Sequence, residues 1–403
     1  MVPKIGLIGI NGFGATHGRV ILDLIERGDI ECSAFADIKV DPKGHIYRGL
    51  VGKGAKYYKD YDVMLDNHRD INFVVIATPI PLHKPMAVNA LRKGFNVLLE
   101  KPPAVTIQDI DEIIKASQES GQLCAVDFQN TSHRSFLQLN EIAEQGKLGN
   151  IRRVVGVGMW KRTDDYYERT SWAGKLVHNG HYVLDGTINN PLAHLLNNCL
   201  IVAGRGDAKK AVPKEVQAEL YKGHRIEGED TTCVRIRTEN AVEVLFYATL
   251  CYTTNDTPYI IVYGDKGKAM WTYDNDLNVE YKDGEKESFS YESEPLIENM
   301  YYNLIDVIQG RTSRVLSSIE DCRSFMLASN GAFESSRDTI KIPDEYITRK
   351  EEGSTVATYI DDIEEIIKRA SQSGKLFSEL CVEWAVSTKP FSLDGYKEFV
   401  MFK

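Results

Sequence analysis

Short apolar runs alternate with helical spacing through the first third of the chain. Lys4-Ile5-Gly6-Leu7-Ile8-Gly9-Ile10 reads as a buried strand, and Val20-Ile21-Leu22-Asp23-Leu24-Ile25 follows with helical periodicity. Cys32-Ser33-Ala34-Phe35-Ala36, Phe73-Val74-Val75-Ile76-Ala77 and Val97-Leu98-Leu99 repeat the strand pattern, with a helical stretch from Pro85 to Arg92 that stops at Gly94. Strands that are apolar throughout, alternating with helices, predict a doubly wound parallel sheet. Ligands of such sheets collect beyond the carboxyl ends of the strands.

The rhythm changes after residue 126. A helix is expected from Phe136 to Gln145, then strands at Ile151–Val157, Val216–Tyr221, Thr232–Thr238, Val242–Cys251, Tyr259–Tyr263 and Lys268–Trp271. Glycine turns such as Gly264-Asp265-Lys266-Gly267 make hairpins of them, so the expectation for 127–343 is a large, mainly antiparallel open sheet flanked by helices. Beyond Pro343 lies the charged stretch Arg349–Gly353. Val356, Tyr359, Ile360, Ile363, Ile366, Ile367 and Ala370 then fall at helical spacing, which predicts a helical extension over 344–403. Three segments result: 1–126, 127–343 and 344–403.

Composition narrows the class. The 403 residues exceed one ordinary domain, the hydrophobic fraction of 43% supports sizeable cores, and no run approaches a membrane span. A formal net charge of −10 disfavours nucleic acid and leaves small molecules as partners. The seven cysteines include no CxxC pair, which suits free thiols in a reducing compartment rather than disulfides or zinc. Met1 leads straight into the first strand without space for a signal peptide, so the expected location is the cytoplasm.

Two places carry candidate chemistry in the first segment. After the first strand comes Asn11-Gly12-Phe13-Gly14, in which Gly9, Asn11 and Gly14 occupy the positions of a GxGxxG turn. A glycine turn opening a helix is a site for a dinucleotide pyrophosphate, and Asn in place of the second glycine is tolerable because Gly12 follows. Asp37 ends the second strand, where an acid accepts the ribose hydroxyls of NAD and repels the 2′-phosphate of NADP. The other place is Glu100-Lys101-Pro102-Pro103, where proline ends an apolar strand and leaves a charge pair at its carboxyl end.

In order and spacing, Ile76-Ala77-Thr78-Pro79, His83, Ala90-Leu91, Gly94 and Val97–Pro102 resemble the glucose–fructose oxidoreductase / inositol dehydrogenase (Gfo/Idh/MocA) family. The likeness continues through Gly228-Glu229-Asp230-Thr231, Val262–Gly267, Ile308-Gln309-Gly310 and Ile319-Glu320-Asp321. It implies an N-terminal Rossmann domain binding NAD(P), with Lys101 beside nicotinamide and substrate. Glu100, Thr78 and Pro79 would line the cofactor channel, with His83 either near it or serving as a helix cap. The family's catalytic histidine falls on His194, its preceding acid on Asn190, and another position that is often Asp on Asn197. Pro191 is expected to start a helix carrying Asn190 and His194 on one face, and a neutral amide at 190 would leave His194 without a carboxylate to hold its proton. Tyr166 and Trp172 resemble a sugar-oxidising subset, with a core or interface cluster as the other reading. His178-Asn179-Gly180-His181 is read as a loop, and no metal is expected.

The resemblance therefore implies an NAD-dependent dehydrogenase acting on a secondary hydroxyl of a sugar or cyclitol, Lys101 polarising and His194 serving as base. It also implies a homo-oligomer formed through the open face of the C-terminal sheet. Two other readings remain: a redox-neutral enzyme that cleaves glycosides with bound NAD, and a non-catalytic NAD-binding sensor.

Overall fold

A computed structural model describes residues 2–402, and the reading that rests on Met1 lies outside them. The chain forms two compact units. The first comprises everything through Ala104, with Asp109–Ser132 and Pro295–Glu320; the second comprises Val105–Gln108, His133–Glu294 and the chain from Asp321 onward. Two expected boundaries are corrected. The helix Leu296–Ile308 belongs with the first unit, because Met300, Tyr301, Leu304 and Ile305 share a core with Leu7, Phe35 and Phe73. The tail from 344 is part of the second unit, for the packing reason given below.

In the first unit, β1 (Lys4–Ile8), β2 (Glu31–Ala36), β3 (Lys56–Tyr58), β4 (Phe73–Ile76), β5 (Asn96–Leu99) and β6 (Cys124–Val126) pair in parallel. Their order is β3-β2-β1-β4-β5-β6, which reverses between β1 and β4 and opens a ligand crevice at that point. The helices are α1 (Gly14–Arg27), α2 (His45–Gly52), α3 (Tyr61–Asn67), α4 (His83–Arg92) and, from Asp109 onward, α5 (Ile107–Ser120). Helix α1 buries Ile21, Leu22 and Leu24 and stops at Gly28, whose φ of 80° suits a residue without Cβ.

The second unit begins with α6 (Arg134–Glu144) and the central strand β7 (Ile151–Met159). Then come α7 (Asp164–Glu168), the hairpin β8 (Val177–His178) and β9 (His181–Tyr182), and α8 (Ala193–Ala203). Strands β10 (Pro213–Lys222), β11 (Thr231–Thr238), β12 (Glu243–Thr249), β13 (Tyr259–Gly264), β14 (Gly267–Thr272), β15 (Asp276–Tyr281) and β16 (Lys286–Ser290) complete the main sheet. These eight run β16-β15-β14-β13-β7-β12-β11-β10, antiparallel except where β7 meets β12, and the short strand Ile340–Lys341 adds to β10 in parallel. Strands β15 and β16 escaped the sequence reading because half of each faces water and carries polar residues. His178 and His181 belong to a two-residue hairpin, not an irregular loop: Asn179 and Gly180 both take positive φ, as such a turn requires.

Helix α8 packs against one face of this sheet at close range. A Cβ on Gly156 would lie 2.6 Å from Cys199 Sγ, and one on Gly158 would lie 2.7 Å from Leu192. The tail covers the opposite face. Ile363, Ile367, Ala370, Phe377 and Trp384 form one core with Val155, Val157, Tyr221, Leu245 and Tyr247. This corrects two expectations. Over β7 and β10–β12 the face expected to meet another subunit is filled by the chain's own tail. The single helix expected from Val356 is instead a hairpin, Ile347–Glu352 with Thr355–Ile360, followed by a helix at Ile363–Ser373. Val356, Thr358 and Tyr359 favour a strand, and Gly353 at φ 64° supplies the turn that periodicity alone does not reveal.

Phe377 is fully buried, with ring centroids 6.2 Å from Tyr247 and 5.7 Å from Trp384. Phe377→Ala is expected to cost about 3–5 kcal/mol, read as a lowered denaturant midpoint. A midpoint equal to wild type would show that the tail does not unfold with the sheet.

Candidate active site

The glycine turn is set by close approach. A Cβ on Gly9, at φ +90°, would meet Ala77 O at 2.4 Å, and one on Gly14 would meet Gly9 O at 2.4 Å. Gly12 at φ +56° supplies the left-handed residue, so Asn11 needs no positive φ. The Asn11 side chain acts as a clip, donating to Lys39 O at 2.7 Å and to Asp37 Oδ2 at 3.1 Å. Asp37 also accepts from Ile10 N at 2.9 Å and Lys39 N at 3.0 Å. A carboxylate offers about four acceptor directions, so Asp37 keeps capacity for a ribose hydroxyl. Phe13 stands half exposed on the turn, and no acid occupies the first turn of α1, which leaves its positive end suited to phosphate. Thr78 and Pro79 sit at the carboxyl end of β4, half-buried and exposed respectively.

Glu100 follows β5 but turns inward. It is 6% exposed, accepts from Lys101 N at 3.0 Å, and lies 2.7 Å from His17 Nε2. His17 Nδ1 is 2.9 Å from the Tyr301 hydroxyl, and Asp127 Oδ2 lies 3.6 Å from Nε2. Burial raises the pKa of Glu100, but the hydrogen bond and charge of His17 outweigh it and hold the carboxyl below its ordinary value. Burial, and then the charge of Glu100, push Asp127 well above its ordinary value, so this acid keeps its proton. His83 is also enclosed, with ring nitrogens 2.8 Å from Pro102 O and 2.7 Å from Thr78 O; burial lowers its pKa against those two carbonyls. Glu100 and His83 are therefore ties beneath the sheet edge rather than walls of an open channel, because their polar atoms are already engaged inside. His17, Asp127 and Tyr301 went unread in the sequence. His17, three residues past Gly14, was findable as a polar residue on the buried face of α1; Tyr301 carries no local signal.

In the second unit, α8 starts at Ala193 rather than at Pro191, so Asn190 lies in the turn before it and His194 is its second residue. All eleven residues of α8 are buried, which makes His194, Asn197 and Asn198 polar groups on an otherwise apolar rod. Among the described residues neither polar atom of the Asn197 amide has a hydrogen-bond partner, a state that ligand contact would relieve. Asn190 Nδ2 donates to Asp185 Oδ1 at 2.7 Å, and Asp185 Oδ2 accepts from Gly174 N at 2.6 Å with Arg169 Nη2 3.8 Å away. The expectation of a charge-free amide at 190 is thus corrected: a buried carboxylate stands directly behind it. Tyr166 and Trp172 both face Arg169, whose guanidinium carbon lies 3.7 Å and 5.4 Å from their ring centroids. Cation–π attraction turns these rings toward the chain's own arginine. Asp185 was missed because it meets Asn190, five residues on, across an irregular turn that no periodicity encodes.

Glu229 underpins the 186–188 turn. Its Oε1 accepts from Ile188 N at 3.0 Å and Thr187 Oγ1 at 3.3 Å, and a Cβ on Gly186 would collide with the carboxyl at 2.1 Å. Two clusters could in principle gather a cation, His17–Glu100–Asp127 and His224–Asp230–Cys251. Both are already internally bonded: His224 Nδ1 lies 2.8 Å from Asp230 Oδ2, which also accepts from Gly223 N at 3.0 Å and His224 N at 2.8 Å. No helix among the described residues is long and apolar enough to cross a membrane.

Two family models match the chain: the oxidoreductase family with NAD-binding Rossmann fold over residues 3–128, and the GFO/IDH/MocA C-terminal domain over residues 136–270. The chain belongs to the GFO/IDH/MocA family. Its first unit carries the family's NAD-binding Rossmann domain, and NAD is its cofactor. Inositol 2-dehydrogenase of Salmonella typhimurium is 30% identical over 157 residues, 39% of this chain and 46% of that protein. A glycosyl hydrolase family 109 protein of Saccharopolyspora erythraea is 24% identical over 193 residues, 46% of this chain and 41% of that one. The chain thus spans a little under half the length of these curated relatives. The structure of the WlbA dehydrogenase from Bordetella pertussis, in complex with NADH and UDP-GlcNAcA, shares the fold. It matches with a TM-score of 0.66 and 22% identity, over 84% of this chain and 97% of that one.

For this family member the Glu229 carboxyl yields a test of the turn. Burial pushes its pKa up to about 8, so it folds protonated and ionises only at cost. An acid raised in the folded state binds protons that the unfolded chain releases, so stability falls as pH rises from the unfolded value toward about 8. Glu229→Gln is expected to flatten that decline, read from unfolding midpoints at pH 5, 6, 7 and 8. An unchanged slope would mean that the carboxyl is ionised across this range.

Proposed function

We propose that the protein oxidises a secondary hydroxyl of a sugar, sugar derivative or cyclitol, with NAD as hydride acceptor. The observation that carries this reading is Lys101, delivered at the carboxyl end of β5 by a turn whose Glu100 is locked onto His17. The names of two relatives agree with it, one an inositol dehydrogenase and the other a dehydrogenase bound to a sugar nucleotide. Six of the seven cysteines are buried and all are free thiols, which fits a cytoplasmic protein.

NAD, when bound, supplies the hydride-accepting ring. Gly9, Gly12, Gly14 and the start of α1 hold its pyrophosphate, with Asn11 and Phe13 shaping the turn, and Asp37 accepts a ribose hydroxyl. Thr78 and Pro79 bound the edge at β4. The Lys101 ammonium hydrogen-bonds the reacting oxygen and stabilises its alkoxide character. His194 removes the hydroxyl proton as the carbon loses hydride: the C–H and O–H bonds break, a C=O bond forms, and the proton stays on imidazole. Asn190, oriented by Asp185, positions the substrate or the imidazole. Tyr166 and Trp172, held by Arg169, shape the rim. A second reading, NAD-assisted glycoside cleavage without net redox, is favoured by the likeness to the family 109 protein. A panel of free sugars and aryl glycosides separates the two: NADH accumulates in the first case, and aglycone is released without it in the second.

Lys101→Ala is expected to lower turnover by about 10²–10⁴ while NAD still binds, measured by steady-state rates beside an NAD titration. Near-normal turnover in that variant would sink the mechanism. Wild type is expected to bind NAD well ahead of NADP, with Asp37→Ala narrowing the gap; a wild-type preference for NADP would overturn the role given to Asp37.

A further inference from the structure

The second unit has a cavity of about 240 Å³ that none of these roles uses. It lies between the end of β10 and the tail. Lys222, Arg225, Lys341 and Arg349 line it against a single carboxylate, Asp344, in a chain whose net charge is −10. Lys341 Nζ and Arg349 Nη1 both reach Asp344, at 2.8 Å and 3.2 Å, so one acid is already divided between two cations. Lys222 Nζ rests on neutral acceptors, Thr339 Oγ1 at 3.1 Å and Glu227 O at 3.3 Å. Among the described residues Arg225 has no ion-pair partner. The cavity therefore keeps an excess of positive charge that its own lining does not neutralise.

The walls are firm. His224, 4% exposed, contributes its ring with one nitrogen 2.8 Å from Asp230 and the other 3.1 Å from Arg162 O. Ile226 supplies the apolar side and packs so tightly on Gly174 that a Cβ there would lie 2.7 Å from it. Gly174 N in turn donates to Asp185, the partner of Asn190. Guanidinium and ammonium groups converging without a matching set of carboxylates are suited to charge-assisted hydrogen bonds with an oxyanion. We propose that this cavity is a binding site for the phosphate or carboxylate group of a small acidic molecule. The proposal does not depend on the dehydrogenase reading.

The test is calorimetric titration of the full chain saturated with NAD, so that the glycine turn is already occupied. Inorganic phosphate is the titrant in one arm and acetate in the other. At least one anion should bind the wild type, more weakly as sodium chloride is raised. Arg225→Ala and Lys222→Ala should each weaken it by about tenfold, the scale of one lost charged hydrogen bond, with NAD affinity unchanged. Asp344→Asn should tighten binding, because it removes the competing carboxylate. Tighter phosphate indicates a phosphate ester as the natural group, and tighter acetate a carboxylate. The proposal is overturned if neither anion binds, if Arg225→Ala and Lys222→Ala bind as wild type does, or if Asp344→Asn weakens binding.

Discussion

The first unit depends on one buried contact, the 2.7 Å approach of the Glu100 carboxylate to the His17 imidazole. His17 comes from α1 and Glu100 from the end of β5, while Tyr301 and Asp127 close the cluster from the helix Leu296–Ile308 and the residue after β6. A carboxylate removed from water is tolerable only when its acceptor positions are filled, and here imidazole and the Lys101 amide fill them. The protonated Asp127 lets a second acid share the pocket without a second charge. Lys101 is where it is because the residue before it is held from inside.

The second unit repeats the device with different parts. Glu229, kept protonated by burial, supports the 186–188 turn from below, while Asp185 gathers the Asn190 amide and the Gly174 N–H. In each unit one inward-facing set of carboxyls positions the side chains expected to do chemistry. Such residues are costly to alter although they need not touch a ligand. This separates them from Tyr166 and Trp172, whose rings engage Arg169 at the surface of the same segment.

The large sheet imposes its own constraint, since both faces of its central strands are apolar and both must be covered. Glycines at 156 and 158 admit α8 on one side. The aromatic group Tyr221, Tyr247, Phe377 and Trp384 seals the other with the tail. Residues 344–402 are thus integral to the second unit, and their hairpin forms part of the basic cavity through Arg349.

The first unit was legible because its signals are local. Continuous apolar strands, the crowded turn of Gly9 and Gly14, Asp37 at a strand end and the prolines after Lys101 each act through neighbouring residues, and a parallel sheet must place strand ends together. Most of the second sheet was legible through its glycine turns, except where β15 and β16 face water. Much else came from contacts that no period encodes: Tyr301 on His17, 284 residues away, and, across irregular turns, Asp185 beside Asn190 and Arg169 between two rings. The tail was misread for the same reason, since Val356 and Ile360 satisfy helical and strand spacing alike and only the sheet they help to cover decides between them. The sequence by itself determined which strands are buried and where the charged residues leave them. The tertiary structure decided which of those charges turn inward, because burial and pairing depend on residues that the chain brings together only when folded.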